Sequence, residues 1–273
     1  MVLPDNTLVA NHFSISIDLD SLEDVPEWGK PGECRLHWFG LTSGRFWIET
    51  SYGALLEYTA AIQESWSLPG LHPDYYVARL FEDLASMLPA ILEPVPADIA
   101  ARVADTGWRA RGEQWSESAE DEQRWEQWDA AARWWYDRSL DMGYLKHAPR
   151  FTFWRVEETL FFQWKADDKE NGVPVWTLSE GQISIDVRTF ETAAVRFCEK
   201  ILDIMERRVG SIQQDGWKRT DCTLDVDGLV HEQAARREFF QKMRHEKQAT
   251  AWQEVRASLD TVLALMERPT QES

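Results

Sequence analysis

The chain lacks the long hydrophobic run that a membrane-spanning helix needs. Such a helix takes roughly 18 or more consecutive apolar residues, and no window of the 273 residues approaches that length. The residues that follow Met1 have neither the basic nor the apolar region of a secretory signal. We therefore expect no membrane association and a cytoplasmic location.

Cysteine is scarce as well. Cys34, Cys198 and Cys222 are an odd number of residues at no recognisable spacing. A disulfide framework or a structural zinc site would need paired or clustered cysteines. Reduced thiols, which suit the cytoplasm, are the simplest interpretation.

Motifs for catalysis or metal binding are missing. The six histidines form no zinc-binding spacing, and there is no glycine-rich phosphate loop, nucleophile elbow or dinucleotide fingerprint. Residues 225–228 lack the later ligands of a calcium loop, and residues 167–169 stand in a polar turn cluster. We predict no catalytic residue, no metal and no cofactor, although a pair of carboxylates can act as acid and base without a motif.

Basic residues are outnumbered by acidic ones. The chain has 47 acids and 29 bases, a net charge of −18, and residues 1–100 alone hold 15 acids and 4 bases, which gives −11. Such a surface repels nucleic acid, so we expect no direct nucleic-acid binding. It attracts a basic protein surface, although a large net charge also serves solubility alone.

Tryptophan is the residue in excess, with 15 copies. Trp is large and amphipathic, and it dominates the energetics of cores and of interfaces. The excess therefore indicates either an unusually aromatic core or a surface that a partner covers.

The predicted strands show apolar–polar alternation or runs of aromatic residues. They cover residues 13–19, 35–40, 45–49, 151–156, 160–164, 173–176 and 182–187. Short polar loops predict one hairpin between 35–40 and 45–49 and another between 151–156 and 160–164. Helical spacing predicts helices over 75–92, 190–209 (ending at Gly210), 229–245 and 250–266.

The predicted fold class is α+β, with aromatic-rich antiparallel β-hairpins packed against helices and a helical C-terminal section. We expect an acidic α+β half over 1–110, a Trp-rich helix within 111–145, and an α+β half ending in helices over 146–273. The three parts together can also form one continuous domain. The word ISID at 15–18 recurs at 183–186, which favours related halves, but the order of strand and hairpin is reversed between them.

In the Trp-rich helix, predicted over residues 116–140, one broad arc is expected to face the core. Its members are Trp125, Trp128, Ala132, Trp135, Tyr136 and Leu140. Trp134 lies nine residues after Trp125 and points about 180° away. It is covered either by another element of this chain or by a partner, for which Trp is a preferred contact residue.

The run LHWFGLTSGRFWI at residues 36–48 is distinctive as a word. Together with residues 22–29 before it and residues 78–84 and 93–96 after it, it resembles a bacterial domain family of unknown function. The likeness is clearest over about the first hundred residues. The resemblance implies a bacterial cytoplasmic setting and provides no catalytic residues.

These observations predict an acidic protein that binds another protein with a basic surface, as an immunity- or antitoxin-like inhibitor of a toxin or effector. The predicted contact residues are Trp134, Trp28, Asp18, Asp20, Glu23, Asp24 and Glu27. One alternative is an enzyme or small-ligand binder with a Trp-lined pocket. Another is a structural subunit of a bacterial assembly, such as a defence complex.

Overall fold

The computed structural model describes residues 8–30, 33–103, 107–117 and 122–267. The strands are β1 (Leu8–Val9), β2 (Phe13–Leu19), β3 (Arg35–Leu36), β4 (Ser43–Thr50), β5 (Gly53–Leu55), β6 (Asp74–Tyr76), β7 (Ser139–Asp141), β8 (Arg150–Val156), β9 (Thr159–Lys165), β10 (Lys169–Glu170), β11 (Val173–Pro174), β12 (Glu180–Asp186) and β13 (Thr223–Leu224). The helices are α1 (Ala60–Trp66), α2 (Val77–Leu92), α3 (Ala97–Val103), α4 (Trp108–Glu117), α5 (Glu122–Tyr136), α6 (Val187–Asp215), α7 (Val226–His245) and α8 (Trp252–Met266). The α+β class is confirmed.

The larger sheet has the order β1-β12-β9-β8-β7. Its centre is the predicted hairpin of β8 and β9, which pair antiparallel from Arg150↔Lys165 to Val156↔Thr159. β12 adds antiparallel to β9, and β1 joins the edge in parallel. The hairpin predicted from these two aromatic runs is therefore confirmed.

The smaller sheet has the order β2-β4-β5, and β6 also pairs with β4. The hairpin predicted between 35–40 and 45–49 is wrong. β4 pairs antiparallel with β2, from Phe13↔Thr50 to Leu19↔Gly44, whereas β3 pairs in parallel with the distant β13. β2 offers a seven-residue alternating partner, while the segment after β3 turns into a 3-10 helix at Gly40–Thr42.

Helix α6 lies against both sheets. Phe190 of α6 contacts Phe13 of the smaller sheet and Phe153 of the larger one, with ring centroids 5.4 and 5.3 Å apart. Phe13 and Phe162 also meet directly at 5.7 Å. One hydrophobic cluster therefore contains residues from both predicted halves of the chain.

The end predicted for α6 at Gly210 is wrong. The helix continues to Asp215 and is followed by Gly216, whose φ is +76°. Val209 and Ile212 on either side of Gly210 are both buried. Because the apolar stripe continues past the glycine, packing keeps that residue helical despite its low propensity.

A second hydrophobic cluster collects tryptophans from α4, α5 and β8, closed by α8. Trp128, Trp135 and Leu140 are buried as predicted, but Trp125 is 55% exposed. The predicted stretch 116–140 contains the end of α4, α5 and the start of β7, and residues 118–121 lie outside the described part. Contacts of α5 with α4 and α8 bury its face from Trp128 onward.

A buried ion pair joins this cluster to the rest of the fold. Arg138 has 0% exposed side chain, and its Nη2 donates to Glu93 Oε2 at 2.7 Å. Its Nη1 donates to the carbonyl of Trp134. Glu93 also accepts hydrogen bonds from the N–H and hydroxyl of Thr250, at 2.7 and 2.6 Å. The pair thus connects the ends of α2 and α5 with the segment that leads into α8.

Gly112 gives a test of the packing between α4 and α5. A Cβ placed on Gly112 would lie 2.1 Å from ring carbons of Trp128. We predict that Gly112→Ala lowers the free energy of unfolding in urea by about 1–3 kcal/mol, because the rigid buried ring must shift.

Gly210→Ala is the matched control for that substitution. Gly210 is also helical, and a Cβ there meets nothing within 4 Å. We expect it to raise the free energy of unfolding by about 0.5–1 kcal/mol through helix propensity. Equal effects of the two substitutions would contradict the described contact of Gly112 with Trp128.

Candidate protein-binding surface

Five aromatic side chains form a continuous row at the surface, which we call the aromatic strip: Trp28, Phe39, Tyr76, Tyr75 and Tyr144. The ring centroids of Trp28 and Tyr76 are 5.1 Å apart, and those of Phe39 and Tyr76 are 5.3 Å apart. The row continues from Tyr76 to Tyr75 at 5.3 Å and from Tyr75 to Tyr144 at 4.4 Å. These spacings are those of favourable aromatic pairs.

The strip is only partly covered by the chain. Trp28 is 41% exposed, and the four other rings are half-buried. Eight other tryptophans are buried, which places most of the Trp excess in the core. Trp28 is therefore an exception that the requirements of the core do not explain.

Strand pairing and a structured loop place the rings of the strip. β6 holds Tyr75 and Tyr76 against β4, in register with Gly44 and Ser43. The carbonyl of Trp28 accepts a hydrogen bond from the N–H of Arg35 at 2.9 Å. The rings are thus carried by backbone that is already hydrogen-bonded to the fold.

Two arginines fix the loop that leads to Trp28. Arg208 of α6 donates to the carbonyls of Asp20 and Leu41. Arg219 donates to the carbonyl of Val25 at 2.5 Å. These contacts hold the guanidinium of Arg208 among the fold's own carbonyl groups, and burial lowers its pKa. A surface arranged in advance in this way binds a partner at a smaller entropic cost.

Two carboxylates lie beside the strip, one near its middle and one near its Tyr144 end. Near Tyr76, burial and then the charge of Asp20 raise the pKa of Asp74, against the opposing effect of Arg45. Near Tyr144, burial raises the pKa of Asp83, and Arg79 opposes it. Because the charged form of both carboxyls is disfavoured in the free protein, a cation from a partner would stabilise it.

The predicted acids lie around the Trp28 loop in different environments. Asp18 is paired with Arg45 at 2.6 Å, and Asp20 accepts a hydrogen bond from the Ser43 hydroxyl at 2.7 Å. Asp24 accepts a bond from the Ser21 hydroxyl at 2.7 Å. The structure also places two further predicted acids on this loop, both exposed: Glu23 and Glu27. Glu27 accepts a hydrogen bond from the Cys34 thiol at 3.2 Å, so Glu23 is the predicted acid with the least local pairing.

Trp134 does not belong to this surface, and its predicted role as an exposed contact residue is wrong. It is 2% exposed, and its Nε1 donates to the carbonyl of Ala131 at 3.0 Å. Its ring meets those of Trp135 and Trp252, both at 5.5 Å. The residue faces away from the expected arc, but the start of α8 covers that side of α5.

Most of the strip was missed by the sequence analysis. The sequence pattern predicts a helix that starts at Tyr75, whereas this residue lies in β6, and it predicts Phe39 in a hairpin that does not form. Tyr144 follows β7 and reaches the strip through tertiary packing alone. The adjacent pair Tyr75-Tyr76 was the available signal, since two aromatics of this kind are typical of strands.

A second cluster surrounds His147, whose backbone φ is +56°. Its Nε2 lies 2.7 Å from Glu170 Oε2, and its Nδ1 lies 3.7 Å from Asp168 Oδ2. Lys146 binds the other oxygen of Glu170 at 2.9 Å, and hydrogen bonds from Lys146 and then His147 lower the pKa of Glu170. Because two basic side chains already pair with this carboxylate, the cluster is an ion-pair network that fixes the loop before β8.

Two further findings concern metal binding and membrane-spanning helices. Within the described ranges, no group of three or more His, Cys, Asp or Glu side chains is arranged to hold a metal ion. None of the helices that the structure describes is both long and apolar enough to cross a membrane.

Comparison with known proteins gives one match. The model of a family of unknown function (DUF5984) covers residues 14–258, which is most of the chain. No curated protein and no solved structure matches. The geometry of this chain is therefore the basis for the role of each residue.

The anchoring of the Trp28 loop can be tested at Arg208. We predict that Arg208→Met lowers the free energy of unfolding by about 1–3 kcal/mol, because two backbone carbonyls lose a charged donor. We also predict faster amide hydrogen exchange within residues 20–28, measured by mass spectrometry.

The neighbouring Arg207→Met is the control. Arg207 is exposed on the same helix, and its replacement should change stability by no more than about 0.5 kcal/mol. Unchanged exchange of the loop in Arg208→Met would show that Arg208 does not hold it.

Proposed function

Because the chain belongs to this family of unknown function, whose name assigns no activity, we propose from the surface geometry that it binds a basic segment of another protein through the aromatic strip. The observation that carries the proposal is the unbroken row of five partly exposed rings with the carboxylates of Asp74 and Asp83 beside it. The proposed biological role is that of an immunity- or antitoxin-like inhibitor acting in the cytoplasm.

The chemistry of the strip favours lysine and arginine as the groups it contacts. Cations bind over the faces of Trp and Tyr rings, and the neighbouring Asp74 can accept charged hydrogen bonds from the same side chains. Asp83, near Tyr144, is already paired with Arg79 at 2.9 Å. Rigid aromatic side chains also offer a large contact area with little loss of rotamer entropy. A segment with alternating basic and apolar residues fits both features.

The overall charge suits an inhibitor of a basic target. With a net charge of −18, the chain would accelerate its encounter with a basic protein. A surface that binds nucleic acid is rich in Lys and Arg, so a toxin that acts on nucleic acid has the complementary charge. Covering that basic surface would block its access to nucleic acid.

The enzyme alternative has less support. The cavities of about 510 and 550 Å³ have no tryptophan in their walls, and a smaller one of about 150 Å³ has only Trp217. Glu170, the carboxylate closest to a histidine ring nitrogen, is already bonded to Lys146 and His147. The assembly-subunit alternative predicts a broad apolar surface, and the experiment below distinguishes it.

Affinity purification of the tagged chain from its native host, with mass spectrometry, tests the proposal. We expect a stoichiometric basic protein whose retention falls as the salt concentration rises, because exposed charges are screened. A neutral partner that resists salt would instead support the assembly subunit. A chain that purifies alone would contradict the proposal.

The strip itself is tested with variants against the purified partner. We predict that Trp28→Ala weakens binding by about 2 kcal/mol, roughly thirtyfold, as expected for a central aromatic contact. Calorimetric titration measures the change.

Trp125→Ala is the matched control, since Trp125 is 55% exposed on α5 and lies outside the strip. It should leave the affinity unchanged. If both alanine variants bind like the parent chain, or if both lose affinity equally, the strip is not the contact surface.

A further inference from the structure

A groove of about 510 Å³ lies between β2 and α6, away from the aromatic strip. One wall is formed by consecutive residues of the chain, 11–15, and the other by the exposed side of α6. We propose that this groove binds an extended acidic segment of a partner protein, which adds as a strand to the edge of β2.

The edge of β2 is available for strand addition. Among the described strands, β2 pairs with β4 alone. The N–H of Asp20 bonds to the carbonyl of Ser43 at 3.0 Å, and antiparallel ladders alternate. The N–H and C=O groups of Phe13, Ile15 and Ile17 therefore point away from β4, and those of Phe13 and Ile15 lie at the groove.

Contact with α6 confirms this direction. Lys200 Nζ lies 3.5 Å from the carbonyl of Ile17 and donates to it, so α6 stands beside the outward edge. Phe13 and Ile15 also line the groove. Their outward backbone groups are of the kind that an incoming strand pairs with in β-augmentation.

The groove is basic in an acidic protein. Arg188, Arg196 and Lys200 line it, together with His12, and none of its lining residues carries a carboxylate. The side chains of Arg188 and Arg196 are exposed, and no hydrogen bond or ion pair engages them in the described part of the chain. Most other arginines of the described fold are paired, whereas the guanidinium groups of these two are available to a ligand.

The spacing of these bases fits a strand. On a helix, Arg188, Arg196 and Lys200 lie within an arc of about 120° and span about 18 Å. An extended segment covers that length with about five or six residues and presents every second side chain to the same side. The occupant should therefore have acidic residues at alternate positions facing α6.

The N-terminus of α6 does not explain the groove as an anion site, because its first N–H groups are already paired. Asp186 already accepts hydrogen bonds from the N–H groups of Arg188 and Thr189, both at 3.1 Å. Glu49 pairs with His12 of the groove, whose Nε2 lies 3.8 Å from its Oε2, and it also accepts hydrogen bonds from Trp47 and Ser16. No ion pair within the described residues engages the side chains of Arg188 and Arg196, so the charges of these two arginines are not consumed locally.

The test uses an eight-residue peptide that alternates glutamate and valine, labelled with fluorescein and titrated with the full chain by fluorescence anisotropy. We expect saturable binding that is lost when lysine replaces glutamate in the peptide. It should also be lost when every peptide amide is N-methylated, because strand pairing then fails.

Arg188→Glu combined with Arg196→Glu should weaken binding of the glutamate–valine peptide by at least about tenfold for each arginine lost. Arg150→Glu combined with Lys242→Glu is the control, since both residues are exposed outside the groove and the change in net charge is the same. Thermal unfolding of both double variants verifies the fold.

Two results would overturn the inference. If the parent chain does not bind the glutamate–valine peptide, the bases only protect the edge of β2 from aggregation. If the N-methylated peptide binds equally well and inorganic phosphate displaces it, the groove is a simple anion site. Neither result bears on the aromatic strip, whose variants are different.

Discussion

Helix α6 packs against both sheets through an apolar stripe that runs for most of its 29 residues. Phe190 near its start meets Phe13 and Phe153, one from each sheet. Arg208 near its end fixes the loop that leads to Trp28. The exposed side of the same helix forms a wall of the basic groove. Both candidate surfaces therefore depend on the position of one helix.

The buried pair of Arg138 and Glu93 is the second constraint on the fold. Desolvation lowers the pKa of Arg138, and the hydrogen bond that Arg138 donates to Glu93 opposes that effect. Breaking such a pair by removing one partner typically costs about 3–5 kcal/mol, because the other charge is left buried. The pair stands beside Trp134 and Trp252, whose rings lie 5.7 and 5.3 Å from the guanidinium carbon. Two of the 15 tryptophans thus lie directly against this buried charge.

The sequence predicted what local patterns control. Alternation identified β2, the aromatic runs identified β8 and β9, and helical spacing identified α7 and α8 within a few residues. Prediction from the sequence fails where residues that are distant along the chain compete for the same strand pairing or packing position. β4 has its longest pairing with β2 rather than with β3, and Trp134 is covered by a segment more than a hundred residues away. Of the candidate site, Trp28 and the neighbouring acids were predicted, whereas the tyrosines were not, because tertiary packing alone brings them together.

Binding of a basic partner to the aromatic strip can be followed by hydrogen–deuterium exchange of the chain, with and without the partner recovered from its host. We predict slower exchange in residues 26–30, 33–40, 74–76 and 141–145 when the partner is bound, and unchanged exchange in α5. Protection confined to β2 and α6, or to the Trp cluster of α4 and α5, would contradict it.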